Sequence, residues 1–190
     1  MSDDGRVRCS WVPTGDTADG LLYRDYHDTE WGQPLRGTVA LFERMCLEAF
    51  QSGLSWLIIL RKRENFRRAF DGFDIATVAG YTAADIDRLL ADPGIVRNRA
   101  KIEATIANAR VAAELDTDLS DLLWSFAPLA RPRPAAISDV PAVTPESSAM
   151  ARELKRRGFK FVGPTTAYAL MQATGMVDDH MGDCWVPAAR

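Results

Sequence analysis

The sequence has little of what a disulfide scaffold or a membrane protein needs. It contains only three cysteines among 190 residues, and three cannot all pair with one another, so a disulfide framework is not expected. No run of about 18 uncharged apolar residues occurs, which argues against a transmembrane helix. The beginning, MSDDGRVRCS, is acidic and polar and lacks the apolar stretch of a secretory signal. We therefore expect a cytoplasmic protein with reduced thiols and no membrane partner.

An excess of positive charge is also missing. The formal net charge is -3, which argues weakly against nucleic acid as a partner. Cations do cluster locally, because RKRENFRR at 61–68 and RELKRRGFK at 152–160 each hold five cations and one glutamate, with Arg97, Arg99 and Lys101 between them. A phosphate footprint needs local rather than total positive charge. Solvated helix faces would have the same composition, so charge alone leaves the partner open.

The sequence also lacks patterns typical of β-strands, whereas helical signals are frequent. No alternating run of convincing length and no internal repeat occurs. Thr38 is a candidate cap for the first apolar-striped segment, Thr82 and Asp85 form a capping-box pattern, and Thr144-Pro145 reads as an N-cap followed by an N1 proline. The sequence predicts an all-α protein. The expected helices cover about 38–53, 55–70, 82–90, 97–115, 144–158 and 165–174.

Prolines mark the expected internal boundary. Residues 127–145 hold half of the ten prolines, which is typical of a connector. A hydrophobic content of 47% in 190 residues supports one sizeable core or two small lobes. We therefore predict a single domain over residues 1–190, built of two helical lobes with the connector near 127–145. Nothing in the sequence points to an oligomer, so a monomer is expected.

Histidines are scarcer still, and their placement is informative. The two histidines each lie near a cysteine at one end of the chain: Cys9 and His27, then His180 and Cys184. Residues four apart share one face of a helical turn, and a Cys2His2 set suits tetrahedral zinc. Spacing alone leaves ordinary buried residues as the alternative. If metal binds, four protein ligands leave no open position, so its role would be structural. Cys46 lies on an apolar stripe and is expected to be a buried free thiol.

Aromatic residues are concentrated in the polar N-terminal third, with one acid among them. Aromatic rings can stack on a flipped base and attract a cationic one. Glu48 lies at the edge of the buried face of the helix expected at 38–53, where it could line a pocket. Periodicity alone favours a half-exposed surface glutamate. The aromatic residues are Trp11, Tyr23, Tyr26, Trp31 and Trp56.

A glycine turn near the C-terminus is a candidate phosphate site. The segment FVGPTTA at 161–167 joins two expected helices. Free backbone N–H groups there, together with the following helix N-terminus, can hold a phosphate. A plain connection between helices is the alternative, and DPGIVRNR at 92–99 is a weaker candidate for the same role.

Several long motifs resemble the 3-methyladenine DNA glycosylase I family of the helix-hairpin-helix glycosylase superfamily. They run from Cys9 to Cys184 and so cover almost the whole chain. The matching segments are RCSW at 8–11, YHDTEWG at 26–32, LFERMCLEAFQSGLSW at 41–56, RKRENFRRAF at 61–70, GIVRNRAKI at 94–102 and LKRRGFKFVGPTTAYALMQATGMVDDHMGDC at 154–184.

The resemblance implies a helix-hairpin-helix glycosylase fold with a zinc site joining the N- and C-terminal segments. It implies one structural zinc ion on Cys9, His27, His180 and Cys184. It implies a lesion pocket in which Glu48 hydrogen-bonds the base, with Tyr26 and Trp56 packing against it and Trp11, Tyr23 and Trp31 completing the walls. The DNA-phosphate hairpin falls on Val162, Gly163 and Thr165.

The implied activity is excision of 3-methyladenine from alkylated double-stranded DNA. Methylation at N3 makes the adenine cationic, so the glycosidic bond is already weak and the base departs neutral. The enzyme must extrude the nucleotide, hold the base and stabilise an oxocarbenium-like sugar while water attacks. The family pattern places no lysine as a Schiff-base nucleophile, which implies a monofunctional hydrolase.

One position departs from the family pattern. Superfamily relatives carry a catalytic Asp in a VDTH-like segment, where the methyladenine-specific family commonly has Asn. Here the segment reads Val177-Asp178-Asp179-His180. Asp178 is therefore a candidate catalytic carboxylate, and the alternative is a hydrogen bond that supports the histidine region or a backbone cap.

Two other function classes fit the same residues. One is a non-catalytic protein that binds alkylation damage in DNA and holds the base without cutting. The other is a zinc-sensing regulator whose metal is reversible. Release of free base from methylated DNA separates the enzyme from the first, and the response to chelation separates it from the second.

Overall fold

The structure, a computed structural model, describes residues 4–188. That part of the chain contains helices and turns and no strand, as the sequence predicts. Two short 3₁₀ turns, Asp71–Phe73 and Ile137–Asp139, add to the α-helices. The α-helices are α1 (Ala18–Thr29), α2 (Thr38–Gln51), α3 (Trp56–Ala69), α4 (Ile75–Ala79), α5 (Ala83–Ala91), α6 (Arg99–Ala113), α7 (Leu119–Trp124), α8 (Pro145–Arg156) and α9 (Pro164–Ala173).

Helix boundaries largely follow the capping patterns of the sequence. Thr82 and Asp85 form the expected capping box of α5, and Thr144 caps α8 with a proline at its first position. The N-cap of α2, however, is Gly37 and not Thr38, so that prediction is wrong. Gly37 has a φ of +94°, which glycine adopts readily, and the Thr38 hydroxyl instead hydrogen-bonds the Asp118 carboxylate.

Helix α2 is the central element of the core. It packs against α3, α6, α7 and α9. Leu41, Phe42, Leu47 and Phe50 are fully buried along it, and burying each such side chain contributes roughly 1.5–3 kcal/mol. Cys46 is buried and unpaired, as predicted. Because α2 is covered on nearly all sides, residues at the edge of its apolar stripe are also removed from water.

The helices α1, α4 and α7 were not expected from the sequence. Helix α1 reads ADGLLYRDYHDT, with low mean hydropathy and no apolar stripe. Its buried residues are Gly20, Tyr26 and His27, which are not the residues that mark a core-facing helix. The helix packs against α3, and Thr17 caps it by accepting a hydrogen bond from the Gly20 N–H.

The proline-rich connector is bound to the C-terminal segment. The Arg131 guanidinium donates to Asp179 at 2.7 Å, and Arg133 Nε donates to Asp178 at 2.8 Å. The Gly182 N–H also donates to the Pro134 carbonyl. These bonds fix the segment between α7 and α8 against the chain end. The division into two lobes stays a prediction.

The basic segments are held in ion pairs to a large extent. Arg63 pairs with Glu30, and Arg157 pairs with Glu153 and Asp116. Lys101 is not a surface cation, because it is 7% exposed and its Nζ donates to carbonyl oxygens at the end of α2. The expectation that Lys101 belongs to a basic surface is therefore wrong. Across residues 4–188, no helix has the length and apolar character needed to cross a membrane.

Candidate functional site: an aromatic cavity beside a Cys2His2 cluster

A cavity of about 290 Å³ opens between α1, α2, α3 and α9. The aromatic residues and the glutamate that the sequence singled out all line it, although they come from four separate parts of the chain. Folding therefore brings the predicted residues together around one space. They are Trp11, Tyr23, Tyr26, Trp31, Glu48 and Trp56.

The rings support one another in edge-to-face and tilted contacts. Trp11 packs edge-on against Tyr23 and Trp31, with ring centroids 5.6 Å and 5.0 Å apart. Tyr26 and Trp56 form the other wall, with centroids 5.4 Å apart. Such aromatic pairs contribute about 0.5–1.5 kcal/mol beyond the area that they bury. The walls are consequently rigid and leave ring faces available to a planar ligand.

Glu48 is buried at the base of this cavity. It is 5% exposed, so the half-exposed position that periodicity favours is wrong. Burial raises the pKa of Glu48 to about 7, and the positive charge of Arg44 acts in the opposite direction. Burial also raises the pKa of Tyr26 and of Tyr23, and in both cases Glu48 contributes through its negative charge. The pKa of Glu48 therefore lies near neutral pH, as is typical of residues at functional sites.

Sequence reasoning missed several lining residues. Asp179 carries the most chemistry, since its side chain is fully buried and accepts hydrogen bonds from Tyr168 Oη, Gln172 Nε2 and Arg131. The aliphatic residues among them gave no signal, because such side chains are common in any core. The position of Asp179 beside His180 was the one available hint. The missed lining residues are Gln51, Ile137, Val140, Ala169, Gln172, Ala173 and Asp179.

Asp178 lies outside the lining of the cavity. Its Oδ2 accepts from Arg133 Nε, and its Oδ1 accepts from the backbone N–H of His180 at 3.2 Å. These contacts correspond to the supporting role, which was the alternative to a catalytic one. A catalytic role for Asp178 stays untested.

The four cysteine and histidine residues lie together, all of them buried. Their ligand atoms are within 4.8 Å of one another. Cys184 Sγ is 3.5 Å from both His27 Nε2 and His180 Nδ1, and Cys9 Sγ is 3.6 Å from His180 Nδ1. Tetrahedral bonds of roughly 2.0–2.1 Å to nitrogen and 2.3 Å to sulfur give nitrogen–sulfur edges of about 3.5–3.6 Å. The donor set and its spacing therefore fit a tetrahedral metal ion.

The outer contacts of the two histidines also fit a metal site. His27 Nδ1 is 2.8 Å from Asp28 Oδ1, and His180 Nε2 is 2.9 Å from the Trp31 carbonyl. Such acceptors orient a metal-binding imidazole. Burial lowers the pKa of His180 to about 4, so the ring is neutral at pH 7, which is the form that binds metal.

The predicted hairpin lies between α8 and α9. Val162 is buried, Gly163 is the N-cap of α9, and Thr165 is exposed in its first turn. Thr165 also borders a groove of about 210 Å³ that shares Glu48, Gln51 and Ala169 with the aromatic cavity. The hairpin therefore adjoins the site, and its contact with DNA stays a prediction.

Comparisons with known proteins agree with this geometry. A curated relative, DNA-3-methyladenine glycosylase of Haemophilus influenzae, is 44% identical over 184 residues, covering 94% of this chain and 96% of the relative. A crystal structure of 3-methyladenine DNA glycosylase I superposes with a TM-score of 0.88 at 43% identity, covering 94% and 98% of the two chains. A variant of such an enzyme in complex with 3-methyladenine superposes with a TM-score of 0.85 at 36% identity, covering 93% and 96%.

The family model described as methyladenine glycosylase matches residues 17–187. This range includes α1 to α9, the walls of the cavity other than Trp11, and three of the four cluster residues. The chain belongs to the methyladenine glycosylase family.

Proposed function

We propose that the protein is a DNA-3-methyladenine glycosylase. It hydrolyses the N-glycosidic bond of 3-methyladenine in alkylated double-stranded DNA and leaves an abasic site. The observation that carries the proposal is Glu48, an acid buried at the base of a cavity walled by aromatic rings. That arrangement suits a planar cationic ligand, since rings stack on its faces and a carboxylate accepts hydrogen bonds from its edge.

The chain binds the extruded nucleotide by offering aromatic rings in place of the neighbouring bases on which it stacks in DNA. Tyr26 and Trp56 offer ring faces on one side, while Trp11, Tyr23 and Trp31 close the other. Glu48 accepts hydrogen bonds from the exocyclic amine edge of the base and balances its charge. A cationic base therefore exchanges water and stacking in DNA for a carboxylate and aromatic walls.

Bond cleavage follows from the charge of the substrate. The C1′–N9 bond breaks with its electron pair moving onto the base, which leaves as neutral 3-methyladenine. The sugar becomes an oxocarbenium ion, water adds at C1′, and one proton is lost to solvent. No lysine is present among the described residues that line the cavity, which supports hydrolysis without strand cleavage. The negative charge of Glu48 stabilises the developing sugar cation.

We further propose that the Cys2His2 cluster holds one zinc ion with a structural role. Two thiolates and two neutral imidazoles are the ligands that zinc prefers, and four of them leave no coordination position for substrate. The metal would join residues 9 and 27 to residues 180 and 184 and so close the fold behind the cavity. Chelation should then unfold this region, whereas a zinc-sensing regulator would stay folded.

The fold proposed for the chain is the helix-hairpin-helix glycosylase fold, acting as a monomer. The turn between α8 and α9 would hold a DNA phosphate through backbone N–H groups at Gly163 and Thr165. Its position beside the groove that continues from the cavity supports this assignment. The proposed path of the DNA strand runs along this groove.

The deciding experiment is chromatography of bases released from methylated DNA. The wild type should release 3-methyladenine, and Glu48→Gln should lose at least about 100-fold in single-turnover rate because a charge facing the sugar cation is removed. Glu43→Gln is the matched control, since Glu43 is on the same helix and pairs with Arg67. If the wild type binds methylated DNA and releases no base, the protein is the non-catalytic damage-binding protein instead.

A further inference from the structure

One buried cation stands directly behind the cavity. Arg44 lies on α2, one helical turn before Glu48, and is 7% exposed. Its guanidinium carbon is 5.4 Å from the ring centroids of both Tyr26 and Trp56. Arg44 does not line the cavity itself. It therefore contacts the two rings of one wall from the side that a ligand does not reach.

Arg44 fixes the direction of the Tyr26 hydroxyl. Its Nη1 donates to Tyr26 Oη at 3.1 Å. A guanidinium has donors only, so the phenol oxygen must accept and its own hydrogen is free for another acceptor. No other hydrogen bond of Tyr26 Oη occurs within residues 4–188, and its ring borders the cavity. The hydroxyl hydrogen is thus available to a ring nitrogen of a bound base.

Glu30 alone does not balance the positive charges around Arg44. Glu30 receives one hydrogen bond from Arg44 at 3.3 Å and two from Arg63, at 2.5 Å and 2.8 Å. Two guanidinium groups therefore share one carboxylate, which leaves one positive charge. An unbalanced charge in a buried cluster is costly. The negative charges of Glu48 and Glu43 also act on Arg44, and Glu48 is the one of these two carboxyl groups that lines the cavity.

We propose that Arg44 is a positioning residue of the base site, which presents the Tyr26 hydroxyl as a donor and is the counter-charge that favours the ionised form of Glu48 before the base enters. The proposal rests on the glycosylase function proposed above. Arg44 touches neither the reacting bond nor the cavity, so it acts through Tyr26 and Glu48. Its charge is partly neutralised by Glu30, which limits repulsion of a cationic base.

The other charged or titratable groups near Glu48 come from three elements. Burial raises the pKa of both tyrosines on α1, so they are neutral at pH 7 and carry no charge that could act on Glu48. The ammonium group of Lys101 on α6 donates to backbone carbonyls. The buried carboxylate of Asp179, which follows α9, accepts hydrogen bonds from three donors. Arg44 is the cation that opposes the effect of burial on Glu48. The other groups are Tyr23, Tyr26, Lys101 and Asp179.

The test measures the ionisation of Glu48 directly. Carbon-13 NMR of glutamate carboxyl groups, with Glu48→Gln used to assign the resonance, follows its titration in the free protein. In Arg44→Met the titration midpoint should rise by about one pH unit or more, because an opposite charge nearby lowers a carboxyl pKa by about 1–3 units. In Arg44→Lys the charge is kept, so the midpoint should stay within about half a unit of the wild type.

The second readout is the pH profile of single-turnover base release. In Arg44→Met the acidic limb of this profile should move to higher pH together with the Glu48 midpoint, and in Arg44→Lys it should stay at the pH of the wild type. Arg44→Lys should still lower the rate several-fold, because an ammonium does not reproduce the planar fork that reaches Tyr26 and Glu30 together. Arg88→Met is the control, since Arg88 also lies over a tyrosine ring, at 5.3 Å from Tyr81, and is absent from the cavity lining.

The outcomes separate this proposal from the proposed function. An unchanged Glu48 midpoint in folded Arg44→Met overturns the counter-charge role whether or not the protein releases base. If the Glu48 midpoint shifts in Arg44→Met and the wild type releases no base, the counter-charge role of Arg44 is supported and the glycosylase function is rejected. If Arg44→Met does not fold, Arg44→Gln is titrated instead, and a midpoint equal to that of the wild type overturns the proposal in the same way.

Discussion

The imidazole of His180 is bonded to the backbone of Trp31, with Nε2 2.9 Å from the carbonyl oxygen, while its Nδ1 lies beside the thiols of Cys9 and Cys184. The Trp31 ring lines the aromatic cavity and also packs edge-on against His180 at 4.7 Å. Trp31 therefore connects the Cys2His2 cluster to the cavity, and so does Trp11, whose ring centroid is 5.1 Å from that of His27. Loss of the cluster should disturb the wall of the cavity as well as the chain ends.

Metal removal tests this connection. We expect about one zinc ion per chain by elemental analysis, and we expect a strong chelator to lower the melting temperature and abolish base release together. Cys9→Ala should lose the metal, because three ligands remain. Cys46→Ala is the control, since Cys46 is buried on α2 away from the cluster, and it should keep full metal content. A chelated protein with unchanged melting temperature would contradict a structural role.

Gly32 provides a test of the same connection without touching a ligand. A Cβ atom at Gly32 would lie 2.9 Å from His180 Nε2, and Gly32 has a φ of +77°. Gly32→Ala should therefore displace His180 and lower zinc affinity by at least about tenfold, as loss of an orienting contact does. Gly37→Ala is the matched control, because Gly37 has a φ of +94° and no atom lies within 4 Å of the added Cβ.

The Gly37 control separates backbone strain from displacement of the ligand. It should lose about 1 kcal/mol of stability, because a left-handed φ is unfavourable for alanine, and keep its zinc affinity. Competition with a zinc-binding dye measures the affinity of both variants. Equal affinities in Gly32→Ala and Gly37→Ala would show that Gly32 does not position His180.

Glu48 should make the protein less stable at neutral pH than in mild acid. Its pKa is about 7 in the folded state against an ordinary value of 4.5 in the unfolded chain, so the folded state holds the proton more tightly. The contribution of this group is then most favourable below pH 4.5 and is lost as pH rises to 7. At about 1.4 kcal/mol per unit, the loss is about 3 kcal/mol.

Glu48→Gln removes this titration and should be more stable than the wild type at pH 8 by up to about 3 kcal/mol. At pH 5 the two proteins should differ by less than about 1 kcal/mol, because Glu48 is then largely protonated in the folded wild type. Urea unfolding at both pH values measures the difference. A stability difference between the two proteins that does not change with pH would show that folding does not raise the pKa of Glu48.

Asp178 and Asp179 are adjacent in sequence and should respond differently to the same change. Asp179→Asn places an amide against three donors, so we expect a loss of about 2–4 kcal/mol of stability. Asp178→Asn keeps a carbonyl for the His180 N–H and weakens one ion pair with Arg133, so about 1 kcal/mol is expected. Base release by Asp178→Asn should stay within about threefold. A loss above 100-fold with intact stability would make Asp178 catalytic.

The sequence alone determined the helical class, most helix boundaries and the residue types of the site. Capping patterns such as Thr82 with Asp85 are local, and they specify a helix start wherever the chain folds. The Cys2His2 set and the group of aromatic residues were visible as composition, and long motifs connected them to a family. None of these signals depends on which helices pack together.

The tertiary structure decided where those residues stand. Glu48 reads as a half-exposed surface acid by periodicity, and it is buried because α1 and α9 cover the edge of α2. Arg44, one turn earlier, was not singled out by any sequence pattern, and it donates a hydrogen bond to Tyr26 behind the cavity. Burial, and with it the raised pKa of Glu48, arises from contacts between segments far apart in the chain, which the period of a single helix does not contain.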